Sequence, residues 1–156
     1  MPLILLLIIT VGMIAMSKKL PRSVRNNNPV NIRLSERNDW QGELPHALNV
    51  ANDAAFESFY HAVDGYRAAA KLIRNYKRFY GINTVQAIIT KFAPSNENDT
   101  AAYIESIASA LSVSPAQPLE LNNDDFMVEL LLAMHKHETG SIWFGKQLAI
   151  AGVKAA

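Results

Sequence analysis

The sequence predicts a mainly α protein of the α+β class, with one N-terminal transmembrane helix followed by a single domain in which an extended lobe precedes a helical core. Three observations carry this. Met1 to Met16 hold no charge and are almost wholly apolar. From Asp64 onward apolar residues recur at helical spacing, whereas residues 26–59 carry turn residues, glycine and aromatics in an extended pattern. The chain has 156 residues, and the roughly 130 left beyond the apolar run suit one compact core and are too few for two.

A run of about 16 residues, helical at about 1.5 Å each, covers roughly 24 Å of a hydrocarbon layer roughly 30 Å thick, so it spans only with local thinning or snorkelling. Its positive charges, Lys18, Lys19, Arg22 and Arg25, follow the apolar run, the reverse of a secretory signal. Residues 1–17 therefore read as an uncleaved anchor, 18–25 as a basic juxtamembrane linker and 26–156 as the folded domain. The positive-inside rule puts that domain on the cytoplasmic side of a host membrane, or inside a membrane-containing particle. Ala15-Met16-Ser17 leaves cleavage open.

Fifteen Lys and Arg against 14 Asp and Glu leave a net charge of +1, too little for a nucleic-acid footprint. The absence of cysteine removes disulfides, thiolate catalysis and cysteine metal sites together. His135 and His137 are two apart on a predicted helix and face different ways, so no metal and no cofactor is expected.

Along the chain, Arg25-Asn26-Asn27-Asn28-Pro29 marks a built turn, because short amide side chains bond their own backbone and Pro stops regular structure. Trp40-Gln41-Gly42 and Phe56-Glu57-Ser58-Phe59 follow. Asp64 and Gly65 then open a helix with Tyr66, Ala69, Ala70, Ile73, Tyr76 or Lys77, and Tyr80 at helical spacing, ending at Gly81. Thr84 caps a short helix that turns Val85, Ile88, Ile89 and Phe92 inward and stops before Pro94. Asp99 or Thr100 caps the next, whose stripe is Tyr103, Ile104, Ile107, Ala108 and Leu111. Asn122 and Asn123 start the most apolar helix, Asp124 to about Thr139, buried through Phe126, Met127, Leu130, Leu131 and Met134. It is the expected central helix. Gly140 breaks it, and an amphipathic tail with Trp143, Phe144, Leu148 and Ile150 ends the chain.

The candidate chemistry lies at His137-Glu138-Thr139-Gly140. A helix C-terminus carries partial negative charge, which disfavours an ionised Glu there, and desolvation acts the same way, so Glu138 is suited to donate a proton near neutrality. The plain alternative is a solvent-facing Glu138 paired with Lys136 or Lys146. Glu97, between Asn96 and Asn98, reads first as part of a helix cap.

These residues resemble the lysozyme superfamily of sugar-cleaving enzymes, whose acid Glu ends a core helix beside a small β-lobe. In flagellar and autolysin-type glucosaminidases a Glu-Ser-Gly-like helix end is followed by an Asn-Asn-x-x-x-Ile-Lys-like turn, Trp-x-Gly and Phe-x-x-Tyr. Here Asn27 to Arg33, Trp40-Gln41-Gly42 and Phe56 to Phe59 match the lobe, and Leu130 to Gly140 resembles the catalytic helix moved to the C-terminus. The resemblance implies a circularly permuted lysozyme-like fold, reasonable because domain termini commonly lie close together. A closer likeness is to phage virion-associated muralytic proteins with Arg-Asn-Asn-Asn-Pro-Gly-Asn-Ile-Arg, Trp-Ala-Pro-x-x-Glu-Asn-x-Thr-x-x-Tyr and His-Glu-Asn-Gly segments. Arg25 to Arg33, Phe92 to Tyr103 and His137 to Gly140 match these in order, departing at Val30, Phe92 and Thr139; Val30 replaces a residue that tolerates positive φ.

The resemblance implies a peptidoglycan-degrading enzyme that cleaves the glycan strand, as a lytic transglycosylase or as a muramidase or glucosaminidase. Glu138 is the expected general acid and base. A hydrolase would need a second carboxylate, for which Glu43, Asp53 and Glu57 are candidates; a separation of roughly 5 Å implies retention and roughly 6.5–9.5 Å inversion. Asn28, Asn31, Trp40, Phe59 and Tyr103 are the expected substrate-binding residues. The expected partners are peptidoglycan, a lipid membrane through residues 1–17 and other virion proteins, with localisation in the virion membrane or the host inner membrane. Two rival readings stay open: a non-catalytic structural or wall-binding virion protein of the same fold, and a murein peptidase.

Overall fold

The apolar stripes become helices whose ends are fixed by particular side chains. The computed structural model describes residues 20–94 and 99–156. Among these, seven helices follow in order: α1 (Arg22–Arg25), α2 (His46–Asn52), α3 (Ala62–Tyr80), α4 (Val85–Phe92), α5 (Thr100–Leu111), α6 (Asp124–Thr139) and α7 (Lys146–Lys154). Thr84 Oγ1 accepts the Ala87 N–H at 3.2 Å at the start of α4, Asp99 Oδ1 accepts the Ala102 N–H at 3.0 Å for α5, and Asn123 Oδ1 accepts the Phe126 N–H at 3.0 Å for α6. Each cap satisfies an amide that has no partner within its own helix.

Helix α6 is the axis of the core. Met127, Leu130, Leu131 and Met134 are fully buried on it, and α3, α5 and α7 all pack against it. Helices α3 and α7 make the most extensive contact in the molecule. Gly152 lets them approach, since a Cβ there would stand 2.6 Å from Tyr66 Cβ and 2.7 Å from the Val63 carbonyl. Arg74, in the second half of α3, donates to the Leu121 and Val153 carbonyls and pairs with Asp124 at the start of α6 at 2.7 Å. Tyr66 near the start of α3 meets His135 near the end of α6, so the two helices run antiparallel.

The structure corrects the expected small β-lobe. Residues 26–61 form no strand; their backbones are joined at the isolated bridges Arg33↔Phe56 and Glu43↔Phe59 and by the Phe59 N–H donating to the Asn26 carbonyl at 2.9 Å. Amide side chains add to these few backbone bonds. Asn28, fully buried, donates to the Ile32 and Glu57 carbonyls at 2.9 Å each and accepts the Ile32 N–H at 2.8 Å. Asn27 donates to the Phe59 and Tyr60 carbonyls at 3.1 Å each, and Asn49 donates to those of Asp53 and Phe56. Helix α2 interrupts a region expected to be extended, starting directly after Pro45. The turn also tolerates Val30, because the positive φ values fall on Asn27 (49°) and Asn31 (56°), while Val30 is buried in the core.

The folded unit includes part of the expected linker: α1 is helical, Ser23 is buried, and Arg22 pairs with Asp53 at 3.2 Å. The expected anchor, residues 1–17, and Glu97 lie outside the described residues. Among the described residues no helix is long and apolar enough to cross a membrane.

Candidate active site

Glu138 occupies the last turn of α6, half-buried, and Gly140 closes that helix in the left-handed region. The Asn31 Nδ2 amide donates to Glu138 Oε2 at 2.6 Å, across 107 residues of sequence. The left-handed backbone at Asn31 is a conformation that Asn tolerates better than most residues. Glu138 is not paired with Lys146, whose ammonium instead meets Glu129.

One turn earlier His135 holds the two sides together. Its Nδ1 lies 2.8 Å from the Pro29 carbonyl, and its Nε2 accepts the Trp143 N–H at 3.2 Å. A carbonyl only accepts and a backbone N–H only donates, so these partners select the neutral Nδ1–H tautomer. Burial pushes the His135 pKa below its ordinary value, only partly opposed by the Pro29 contact. Phe144 stacks on the ring at 5.2 Å and Tyr66 meets it edge-on at 6.4 Å.

Asn31 and Glu138 line a cavity of about 130 Å³ with Arg22, Arg33, Phe56, Phe92 and Ala93. The Arg22 and Arg33 guanidinium groups stack on the Phe56 ring at 4.6 and 4.7 Å. Glu138 is the only carboxylate lining this cavity among the described residues. Tyr103 is 3% exposed; its ring stacks on His137 at 3.8 Å, and its hydroxyl makes no hydrogen bond of ordinary geometry. Burial first, and the neighbouring Glu138 carboxylate second, hold that phenol well above its usual pKa.

The remaining expected site residues divide. Asn28 is spent on the backbone of its own turn, and Phe59 is a core residue at 3% exposure, so neither reaches a ligand. Trp40 is half-buried in the wall of an adjoining cavity. The candidate second carboxylates are not gathered around Glu138. Asp53 is held by Asn26, the Ala55 N–H and Arg22; burial would raise its pKa, but these contacts outweigh it and leave it lowered. Glu43 and Glu57 line a different cavity, of about 170 Å³, with His46. Glu57 accepts the Asn38 amide at 2.6 Å and the Ser35 N–H at 3.3 Å, yet burial, assisted by Glu43, raises its pKa. Arg22, Phe56 and Phe92 belong to the cavity although the sequence did not single them out as site residues. The available signals were the places of Phe56 and Phe92 in matched segments; Arg22 reads in the sequence only as part of the basic linker.

Fold and cleft together define a small, mainly helical protein that presents a carboxylate at the end of its central helix to a turn from the opposite end of the chain. No family model matches the sequence. Protein P5 of Pseudoalteromonas phage PM2 is 38% identical over 120 residues, a match spanning 77% of this chain and 72% of that protein. The chain belongs to the family of that phage protein.

Proposed function

We propose that this protein cleaves the glycan strand of peptidoglycan, with Glu138 as general acid and then general base, in a lysozyme-like domain of circularly permuted order. The observation that carries the reading is the 2.6 Å bond from Asn31 Nδ2 to Glu138 Oε2 inside a cavity that holds no second carboxylate among the described residues. Because the amide N–H only donates, Oε2 is held as an acceptor and the transferable proton belongs on Oε1. That proton goes to the glycosidic oxygen as the bond to the anomeric carbon breaks. The carboxylate then takes the proton of the attacking muramyl 6-hydroxyl, which closes an anhydro ring and restores the acid. A single acid is sufficient for this sequence, so the lytic transglycosylase form is favoured over a two-carboxylate hydrolase.

In this reading the protein is a phage virion component that opens the host wall locally, tethered to a membrane by residues 1–17. Zymography on purified peptidoglycan with wild type and Glu138→Gln tests it: clearing by wild type alone is expected, and equal clearing by both overturns the assignment. Mass spectrometry of the fragments then reads the reaction. Anhydromuramyl ends mark a transglycosylase, reducing ends a hydrolase and free peptides a peptidase.

A further inference from the structure

The second half of α3 carries positive charge that the fold does not match. Lys71, Arg74, Lys77 and Arg78 line one hollow of about 500 Å³, bounded also by Asn122 and Ala156. Asp124 pairs with Arg74 at 2.7 Å, and an α-carboxylate at Ala156 offsets one further charge, so two cations stay unopposed. Among the described residues no carboxylate side chain lines the hollow, and none forms an ion pair with Lys71, Lys77 or Arg78. Outside them, residues 1–19 contain no acid and 95–98 contain only Glu97. That short segment is bracketed by Ala93 and Thr100, joined at 2.7 Å, and no residue of α4 or α5 lines the hollow. Lys77 and Arg78 suit the negative end of the α3 dipole, but Lys71 lies two turns from that end, beyond its reach. An apolar ring stands beside these cations. Phe79 is 63% exposed, and the Arg78 guanidinium lies over its ring at 5.2 Å. Lys71, Asn75 and Phe79 follow at four-residue spacing and so share one face of α3. An exposed phenyl ring has nothing to meet on a small soluble anion, whereas a bilayer offers phosphates to the cations and an apolar interface to the ring.

We propose that this face of α3 docks on an anionic lipid surface, with headgroup phosphates at Lys71, Lys77 and Arg78 and the Phe79 ring in the interface. The docking leaves the cleft uncovered. Tyr66 near the start of α3 meets His135 near the end of α6, so the Glu138 end of the molecule stands roughly 20 Å along α3 from Phe79. The proposal is independent of the reading of Glu138 as an acid.

The chain has no cysteine, so Asn75→Cys in the full chain carries one fluorescent label on this face. The labelled protein is mixed with vesicles of phosphatidylcholine alone or with about 30% phosphatidylglycerol, and shielding of the label from a water-soluble quencher is read against lipid concentration. Half-maximal shielding is expected at roughly tenfold less lipid on the anionic vesicles, a difference that shrinks in raised salt. Lys71→Gln combined with Arg78→Gln is expected to erase most of that difference, and the charge-keeping pair Lys71→Arg with Arg78→Lys to retain it. Phe79→Ser is expected to raise the lipid needed on anionic vesicles by roughly threefold or more. Residues 18–25 are the same in every variant, so any attraction of theirs cancels from the comparison. Equal shielding on the two vesicle types, or a preference undiminished by the paired Gln substitutions, overturns the proposal. So does loss of the shielding to millimolar inorganic phosphate at constant ionic strength, which would make the hollow a site for a free anion. Because Lys71, Arg78 and Phe79 are exposed, matching thermal melts are expected for all these variants.

Discussion

Asn31 is asked to do two things, to adopt a left-handed backbone and to hold Glu138, and replacements separate them. Asn31→Gly keeps the backbone conformation and removes the amide; Asn31→Ala removes both. Stability by urea titration is expected to fall by under about 1 kcal/mol for the glycine and by about 1–2 kcal/mol for the alanine, while wall cleavage falls in both. Full activity in the glycine variant would show that the contact has no role in orienting the acid. His135 makes a prediction in pH. Its pKa in the folded state lies below the ordinary 6.5, so the unfolded chain takes up its proton first as the pH falls. The stability it contributes is therefore complete above about pH 6.5 and is lost progressively as pH falls towards the lowered value. Protonation would also set Nε2–H against the Trp143 N–H, two donors face to face. Between pH 7.5 and pH 5, wild type is expected to lose more stability than His135→Gln. Parallel losses in the two proteins would remove His135 from the account.

At the scale of elements, the helices were legible because two independent signals agreed. Asn123 followed by the acids of Asp124 and Asp125 marks a start, Gly140 a stop, and the apolar residues between them one face; the observed α6 runs from Asp124 to Thr139. Removing such a cap by Asn123→Ala is expected to cost about 1 kcal/mol in thermal unfolding. The lobe was not legible as it is. Many of its backbone groups are held by Asn side chains reaching 4 to 33 residues away, and no periodicity encodes them. The same cause hid the fate of Asn28, whose motif position marked a ligand contact, while its burial commits it to the Ile32 and Glu57 carbonyls. Helix α2 lacks an apolar stripe, with Leu48 and Val50 exposed, so only Pro45 hinted at its start. Gly65, which the sequence marked merely as a helix opening, is where α3 meets the turn. A Cβ there would fall 2.2 Å from the Asn27 carbonyl oxygen and 2.6 Å from Pro29 Cδ. The backbone oxygen cannot swing aside as a flexible side chain would, so Gly65→Ala is expected to cost roughly 1–3 kcal/mol and to weaken the seat of Asn31. A variant with wild-type urea midpoint and activity would contradict that packing.

The whole molecule makes the cleft a property of the complete fold, because its two sides come from opposite ends of the chain. Residues 26–33 are clasped between α3, through Gly65 against Asn27, and α6, through His135 against Pro29. Within the clasp, the Ile32 N–H is bonded to the buried Asn28 side chain. Tyr66 and Met134, the chain neighbours of Gly65 and His135 at these two contacts, are fully buried. Helix α2 is different, since Asn49 is its only buried residue. Amide exchange measured in rising urea is therefore expected to divide the molecule into two levels. The amides of residues 69–73 on α3, those of residues 130–135 on α6 and that of Ile32 should share the free energy of global unfolding. Those of His46–Asn52 should open at a lower cost and with little dependence on urea. Were Ile32 to exchange at the lower level with α2, the Asn turn would be a local loop able to leave Glu138 unsupported. Exchange at the global level would mean that Asn31 and Glu138 stay together for as long as the protein stays folded, the preorganisation that acid catalysis by one fixed carboxyl requires.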